Sequence, residues 1–253
     1  MRILVTNDDG IESEGIRVLA SSMVSLGEVY IVAPKNPQSA GGHATTLHKP
    51  LRVEKYPINV GEKLSLRVSG TPSDCVLLAL DELIEEKIDV LVSGINNGPN
   101  LGYDIIYSGT VAGAREGAIN GILSFAFSVD AFENPVYSYA GKFAPLFIKA
   151  VLDMGISGRI YFNLNFPNLS EEYIKGYKFV KQGTREYINR VKIGEDPFGK
   201  EYYWIGGKLK PDEQNNTDVD AVKEGFVAIT PLTLDFTDYS MLQTLYNSLI
   251  KIT

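Results

Sequence analysis

Ile3-Leu4-Val5-Thr6-Asn7-Asp8-Asp9-Gly10 is the stretch whose reading decides the fold. Apolar and β-branched residues without a polar interruption read as a strand buried on both faces, the habit of parallel strands. Gly15 to Leu26 follows, with Ile16, Leu19, Ala20, Met23 and Val24 at helical spacing. Val29-Tyr30-Ile31-Val32-Ala33 is then a second buried strand, ended by Pro34. Helices between short apolar strands imply right-handed βαβ units and a mostly parallel sheet.

The pattern continues outward. Leu51 to Ser69 alternates and reads as a hairpin-like insert or edge strands. Thr71-Pro72-Ser73-Asp74 has the form of a capping box with Pro at the first helical position, opening a helix to about Lys87. Its expected buried stripe is Val76, Leu77, Leu80, Leu83 and Ile84. Asp89 to Ser93 is a third core strand and Ile122 to Phe127 a fourth, with a Gly/Asn-rich loop and a helix from about Thr110 to Asn120 between them. A helix over about Ser138 to Leu152 leads to the strand Arg159 to Asn163. Beyond Pro167 the strand-like pieces Tyr177 to Lys181 and Glu201 to Gly206 are separated by polar links such as Asp212-Glu213-Gln214-Asn215-Asn216. The aromatic run Tyr202-Tyr203-Trp204 is costly to expose and suggests a hairpin that pairs with another subunit.

The bulk properties narrow the function. A chain of 253 residues, 44% hydrophobic, can bury a large core. Its net charge of −7 argues against a nucleic-acid polymer, which is bound through many Lys and Arg contacts to phosphate. No apolar run approaches the ~18 residues of a membrane span, and Met1 to Asp8 lacks the form of a signal peptide. The expectation is a cytoplasmic protein with no membrane partner. Cys75, the single cysteine, excludes an internal disulfide and a cysteine-rich zinc site.

In an open parallel sheet, ligands bind beyond the carboxyl ends of the strands. Asp8 and Asp9 stand at the first such end, where two adjacent carboxylates repel and a hard divalent cation relieves the repulsion. Asn-Asp-Asp-Gly is equally good turn chemistry. The loop Lys35 to His43 after the second strand carries Ser39 and three small residues, and reads alternatively as an ordinary surface loop. After the third strand, Asn96 offers a neutral amide oxygen, or else the asparagines simply occupy turn positions. Ser108-Gly109-Thr110 opens a helix with small side chains, a start that binds anions or is merely capped. His43 can donate a proton from its loop. His48 reads as facing solvent or packing near Lys49-Pro50, and Cys75 as a small buried residue. No Gly-x-Gly-x-x-Gly, P-loop or Gly-x-Ser-x-Gly elbow is present.

Four ordered motifs carry a resemblance: Leu4 to Gly10, Gly70 to Val76, Val92 to Asn100 and Tyr107 to Ala114. Together they closely resemble the SurE survival-protein nucleotidases, strongly over residues 1–130 and loosely beyond, to Asn163-Leu164-Asn165-Phe166-Pro167. The resemblance implies an α/β fold with a Rossmann-like, mostly parallel sheet flanked by helices. It implies one domain, its core about residues 1–165, with a C-terminal hairpin and helix excursion (about 166–253) exchanged in a homodimer or homotetramer. It further implies hydrolysis of nucleoside 5′- and 3′-monophosphates with Mg²⁺ or Mn²⁺. Carried over by motif, Asp8, Asp9, Ser39 and Asn96 look like the metal ligands, with Asp8 and Asp9 catalytic. Ser108, Gly109 and Thr110, beside Asn96, look like the phosphate cradle. His43 is a substrate contact without a settled role, because Ala40-Gly41-Gly42-His43 departs from the more Ser/Asn-rich loop of the family.

Other readings share the acidic pair. A haloacid-dehalogenase-like phosphatase expects Asp-x-Asp followed by Gly-Thr, which Asn7-Asp8-Asp9-Gly10 lacks. A receiver domain needs an Asp at the end of the third core strand, where Ser93-Gly94-Ile95-Asn96 stands instead. A non-catalytic nucleotide-binding or regulatory protein, or a phosphatase of other phosphomonoesters or polyphosphate, would share the whole site.

Overall fold

The structure is a computed structural model that describes residues 1–210 and 214–248. In chain order its first half comprises β1 (Arg2–Thr6), α1 (Glu14–Met23), β2 (Glu28–Pro34), β3 (Val53–Lys55), β4 (Leu64–Val68), α2 (Pro72–Leu78), β5 (Val90–Asn97), α3 (Asp104–Tyr107) and α4 (Gly109–Ile119). Next come β6 (Leu123–Asp130), α5 (Ser138–Asp153), β7 (Tyr161–Pro167), β8 (Tyr177–Phe179) and β9 (Tyr187–Ile188). The chain continues with β10 (Val191–Glu195), β11 (Glu201–Ile205), β12 (Lys208–Leu209), α6 (Asp218–Lys223), β13 (Val227–Leu232) and α7 (Tyr239–Ser248).

Among the described residues nine strands form one sheet in the order β3-β4-β2-β1-β5-β6-β7-β13-β8. From β4 to β7 every neighbouring pair is parallel, while β3 and β13 run antiparallel to β4 and β7. The sheet is therefore α/β, mostly parallel and flanked by helices, as the alternation of apolar strands and helices requires. Ile3, Leu4 and Val5 are wholly buried because the sheet is covered on both faces. Leu4 packs with Val76 of α2 and Val111 of α4, whereas Ile3 and Val5 pack with Ile16 of α1 and Ile148 of α5.

The chain leaves β1 on one side toward β2 and returns on the other side at β5. The strand order thus reverses at β1, and this switch point opens a crevice beyond the carboxyl ends of β1, β2 and β5. Helix α4 reaches that crevice because Gly113 and Gly117 let it lie directly on the strands. A Cβ on Gly113 would stand 2.9 Å from Thr6 and Ser93 side-chain atoms, and one on Gly117 would stand 2.4 Å from Ser124 Oγ.

Several boundaries differ from the sequence reading. The helix expected to about Lys87 begins with the anticipated capping box, but α2 runs into a wider π turn over Ala79–Leu83 and ends there. Ile84 then turns extended and is buried, as is Ile88, while Leu77, Leu80 and Leu83 are only half-buried. Strand β5 does not stop at Ser93. Its pairing with β6 shifts register after Ser93 and resumes at Asn96↔Ser128, so residues read as loop are strand. Gly94 allows this, since its φ is +129° and a Cβ there would meet the Phe127 carbonyl at 2.3 Å. Beyond residue 165 the chain comes back to the sheet through β8 and β13, while the β10–β11 hairpin and α7 project with no fully buried residue. Asp212 and Glu213, part of the expected polar link, lie outside the described residues.

Candidate active site at the switch point

The turn after β1 separates the two carboxylates. The Asn7 amide donates to the Gly10 carbonyl at 2.8 Å and to Ser13 Oγ at 2.9 Å, closing the turn. Asp8 is buried and faces α4: its carboxyl accepts from the Thr110 hydroxyl and from the backbone N–H groups of Gly109 and Thr110. Gly109 has to be glycine here, because a Cβ would stand 2.8 Å from that of Asp8. Burial drives the Asp8 pKa above the ordinary carboxylate value, and the α4 donors oppose that rise. Asp9 points to the end of β5, where Oδ2 accepts from the Asn97 N–H at 2.9 Å. Burial raises its pKa to about 6; the Asn97 N–H counters this and the neighbouring Asp8 charge adds to it.

The loop after β2 is strapped across this pair. The Gln38 N–H donates to the Asp8 carbonyl at 2.7 Å, and the Gly42 N–H donates to the Tyr107 carbonyl at 2.8 Å. Between those ties lies Ser39, exposed beside the cavity. At the end of β5, Asn96 Nδ2 donates to the Gly98 carbonyl at 2.7 Å, which leaves Oδ1 as a free oxygen donor for a ligand. Asp8, Ser39, Asn96 and Ser108 all line one cavity of about 360 Å³, within the size range of small-molecule sites. Two larger clefts lie at the opposite, amino end of the strands, one beside Asp89 and Leu123 and the other beside Arg2 and Glu28.

The donor set fits a hard divalent cation. It consists of two carboxylates, an amide oxygen and a hydroxyl, with no sulfur or imidazole. Among the described residues no three His, Cys, Asp or Glu side chains gather in a softer or more acidic metal cluster.

The family model described as "Survival protein SurE" matches residues 3–189. The chain belongs to the SurE family. It is 44% identical over 246 residues to the 5′-nucleotidase SurE of Moorella thermoacetica, covering 97% of this chain and 95% of that one. To the 5′-nucleotidase SurE of Chlorobium limicola it is 45% identical over 244 residues, 96% and 94% of the two chains. The crystal structure of the SurE protein from Aquifex aeolicus superposes with a TM-score of 0.85 at 42% identity, covering 98% of this chain and all of that one.

Within this SurE fold the expected site residues divide. Asp8, Ser39, Asn96 and Ser108 share the cavity wall, and Asp9 adjoins them through Asn97. Gly109 and Thr110, expected to cradle phosphate, direct their donors to Asp8. His43 is turned away from the cavity lining: its Nε2 shares a 2.6 Å hydrogen bond with Oε2 of buried Glu116 on α4. Oε1 of Glu116 accepts from the Asn120 amide at 3.0 Å. Sequence reasoning passed over Glu116, although a lone carboxylate among Gly113, Ala114, Gly117 and Ala118 signals a buried partner. It also passed over Asp104 and Phe132, which with Tyr187 complete the cavity wall from distant parts of the chain.

Proposed function

We propose that this chain is a divalent-metal-dependent nucleotidase that releases phosphate from nucleoside 5′- and 3′-monophosphates. The observation that carries the reading is the meeting of Asp8, Ser39, Asn96 and Ser108 in one cavity at the switch point, in a chain of the SurE family whose relatives are named 5′-nucleotidase. Asp8, Asp9, Ser39 and Asn96 hold the cation, which is Mg²⁺ or Mn²⁺ on the chemistry of these oxygen donors. Bound there, it supplies Lewis-acid polarisation of a phosphoryl oxygen.

The rest of the work falls to the chain. The amino end of α4 holds Asp8 in place through the Thr110 hydroxyl and the two backbone N–H groups, donors that favour its charged form against burial. With the Gly109 and Thr110 donors turned to Asp8, the Ser108 hydroxyl at the cap of α4 faces the phosphate beside the positive helix end. Water is the attacking group, oriented by Asp9, because carboxylates committed to a cation and to backbone donors are poor nucleophiles. His43 supports the site indirectly by fastening the Ser39 loop to Glu116. The protein works in the cytoplasm as a homodimer or homotetramer joined through its projecting C-terminal elements.

The test is phosphate release from a panel of nucleoside 5′- and 3′-monophosphates, glycerol phosphate and polyphosphate, with Mg²⁺ or Mn²⁺ and again with EDTA. Metal-dependent release that favours the nucleotides is the expected result. Asp9→Asn should lose most turnover and keep the fold. Binding of nucleotides without any release, with either metal, would make the protein a nucleotide-binding regulator instead.

A further inference from the structure

The wall of the cavity away from Asp8 is built from aromatic side chains that the metal and phosphate do not need. Tyr107 stands next to the α4 cap Ser108, and its ring is 61% exposed. Phe132, 73% exposed, lies on the other strand end. Gly98 makes room for it: a Cβ there would stand 2.9 Å from Phe132 Cε1. Tyr187 is the third ring, and it arrives from the C-terminal segment.

That arrival is held by buried polar contacts. Asp218, wholly buried, accepts from the Gly102 N–H at 2.9 Å and from the Gly183 N–H at 2.8 Å, stapling residues 182–187 onto the turn before α3. The Gln182 amide donates to the Gly102 carbonyl at 2.9 Å. The segment lies so close that a Cβ on Gly102 would stand 2.7 Å from that of Arg185. Buried Arg185 pairs with Asp104 at 3.2 Å, and the Tyr187 hydroxyl donates to Asp104 Oδ2 at 2.9 Å. Tyr187 is thus fixed in place on the cavity wall by its hydrogen bond to Asp104, by the Arg185–Asp104 ion pair and by the staple at Asp218. Two exposed rings and one half-buried ring around a polar floor suit a ligand with a flat, apolar end and a phosphate at the other.

We propose that Tyr187, with Tyr107 and Phe132, forms the subsite that takes the base of the nucleotide, so that the C-terminal segment sets substrate specificity. The assignment rests on the nucleotidase reading and goes further by naming the residues that separate nucleotides from other phosphomonoesters. Aromatic faces bind any base by stacking, which predicts weak discrimination among bases and strong discrimination against substrates with none.

The experiment compares kcat/KM for adenosine 5′-monophosphate with kcat/KM for ribose 5-phosphate, in wild type, Tyr187→Leu and Tyr187→Phe. Tyr187→Leu should lower the ratio about tenfold, chiefly through the KM of the nucleotide, and Tyr187→Phe should keep most of it because the ring remains. Binding of adenosine alone, followed by saturation-transfer NMR on the same proteins, should weaken in the Leu variant and persist in the Phe variant. An unchanged ratio and unchanged adenosine binding in Tyr187→Leu would overturn the subsite while leaving the nucleotidase intact. Should wild type hydrolyse neither substrate, the nucleotidase reading fails by itself, and adenosine binding still decides for or against the subsite.

Discussion

At the scale of single residues, the candidate site turns on two adjacent carboxylates, Asp8 buried and Asp9 half-buried. The ordinary Asp pKa of 3.8 is raised to about 6 at Asp9, with burial as the main cause. A raised acid favours the protonated form in the folded state. Its stabilising contribution is therefore present below about pH 4 and is lost as pH rises toward 6. At ~1.4 kcal/mol per unit of pKa, the loss is at most about 3 kcal/mol. Metal-free protein should melt progressively lower with rising pH between pH 4 and 6, Asp9→Asn should make that slope shallower with Asp8 left to titrate, and Mg²⁺ or Mn²⁺ should restore stability above pH 6. Melting curves in EDTA across that range test this, and equal slopes in wild type and Asp9→Asn would refute it. The sequence made these two residues legible, because adjacent acids after a buried strand are unusual whatever the family. It did not disclose their unequal surroundings. Asp8 meets Thr110 and Asp9 meets Asn97 across separations of about 100 and 90 residues, and only the folded sheet brings them together.

Among the elements, α4 joins the sheet to the site, and glycines rather than large apolar residues do it. Gly109, Gly113 and Gly117 recur every fourth residue on the face that meets Asp8, Thr6, Ser93 and Ser124. Gly113→Val would place a branched side chain where even a Cβ stands 2.9 Å from two neighbours. Overpacking of this kind costs about 1–3 kcal/mol, and here the strain pushes the helix start away from Asp8. Urea unfolding should show that loss together with a drop in metal-dependent turnover, whereas Gly206→Ala, which meets nothing within 4 Å, should be neutral. An unaltered urea midpoint in Gly113→Val would show that α4 can shift freely. The sequence revealed the main strands and helices of the core because buried parallel strands are plain apolar runs. It misplaced the ends of α2 and β5, where a π turn and Gly94 break the simple periods. Strand order was beyond it in part: nothing local tells β13 to insert between β7 and β8. The His43–Glu116 contact was hidden for the same reason, since it joins a loop to a helix 73 residues away.

For the whole molecule, the sheet and the projecting hairpin treat apolar side chains differently. The sheet and the helices on its faces enclose the buried core, while the β10–β11 hairpin leaves Ile193 67%, Tyr203 61%, Trp204 68% and Ile205 90% exposed. Helix α7 adds Tyr239, Met241, Leu245 and Tyr246, all exposed. No helix among the described residues is long and apolar enough to cross a membrane. A two-stranded ribbon is barely stable alone, and apolar patches of this kind mark contact with another protein chain. A second copy meets the requirement if its own hairpin or α7 packs against the first, as in the exchange that the family resemblance implies. Tyr203→Asp with Trp204→Asp places two charges in that contact and should shift the molar mass to a smaller species. Light scattering after size-exclusion chromatography reads the change directly. Because Asp8, Ser39 and Asn96 belong to the first half of one chain, the smaller species should still bind the divalent cation. Retention of the wild-type mass would place the subunit contact elsewhere. Loss of cation binding along with the mass would mean that the projecting elements also hold the switch-point crevice in shape, through residues 182–187 stapled by Asp218.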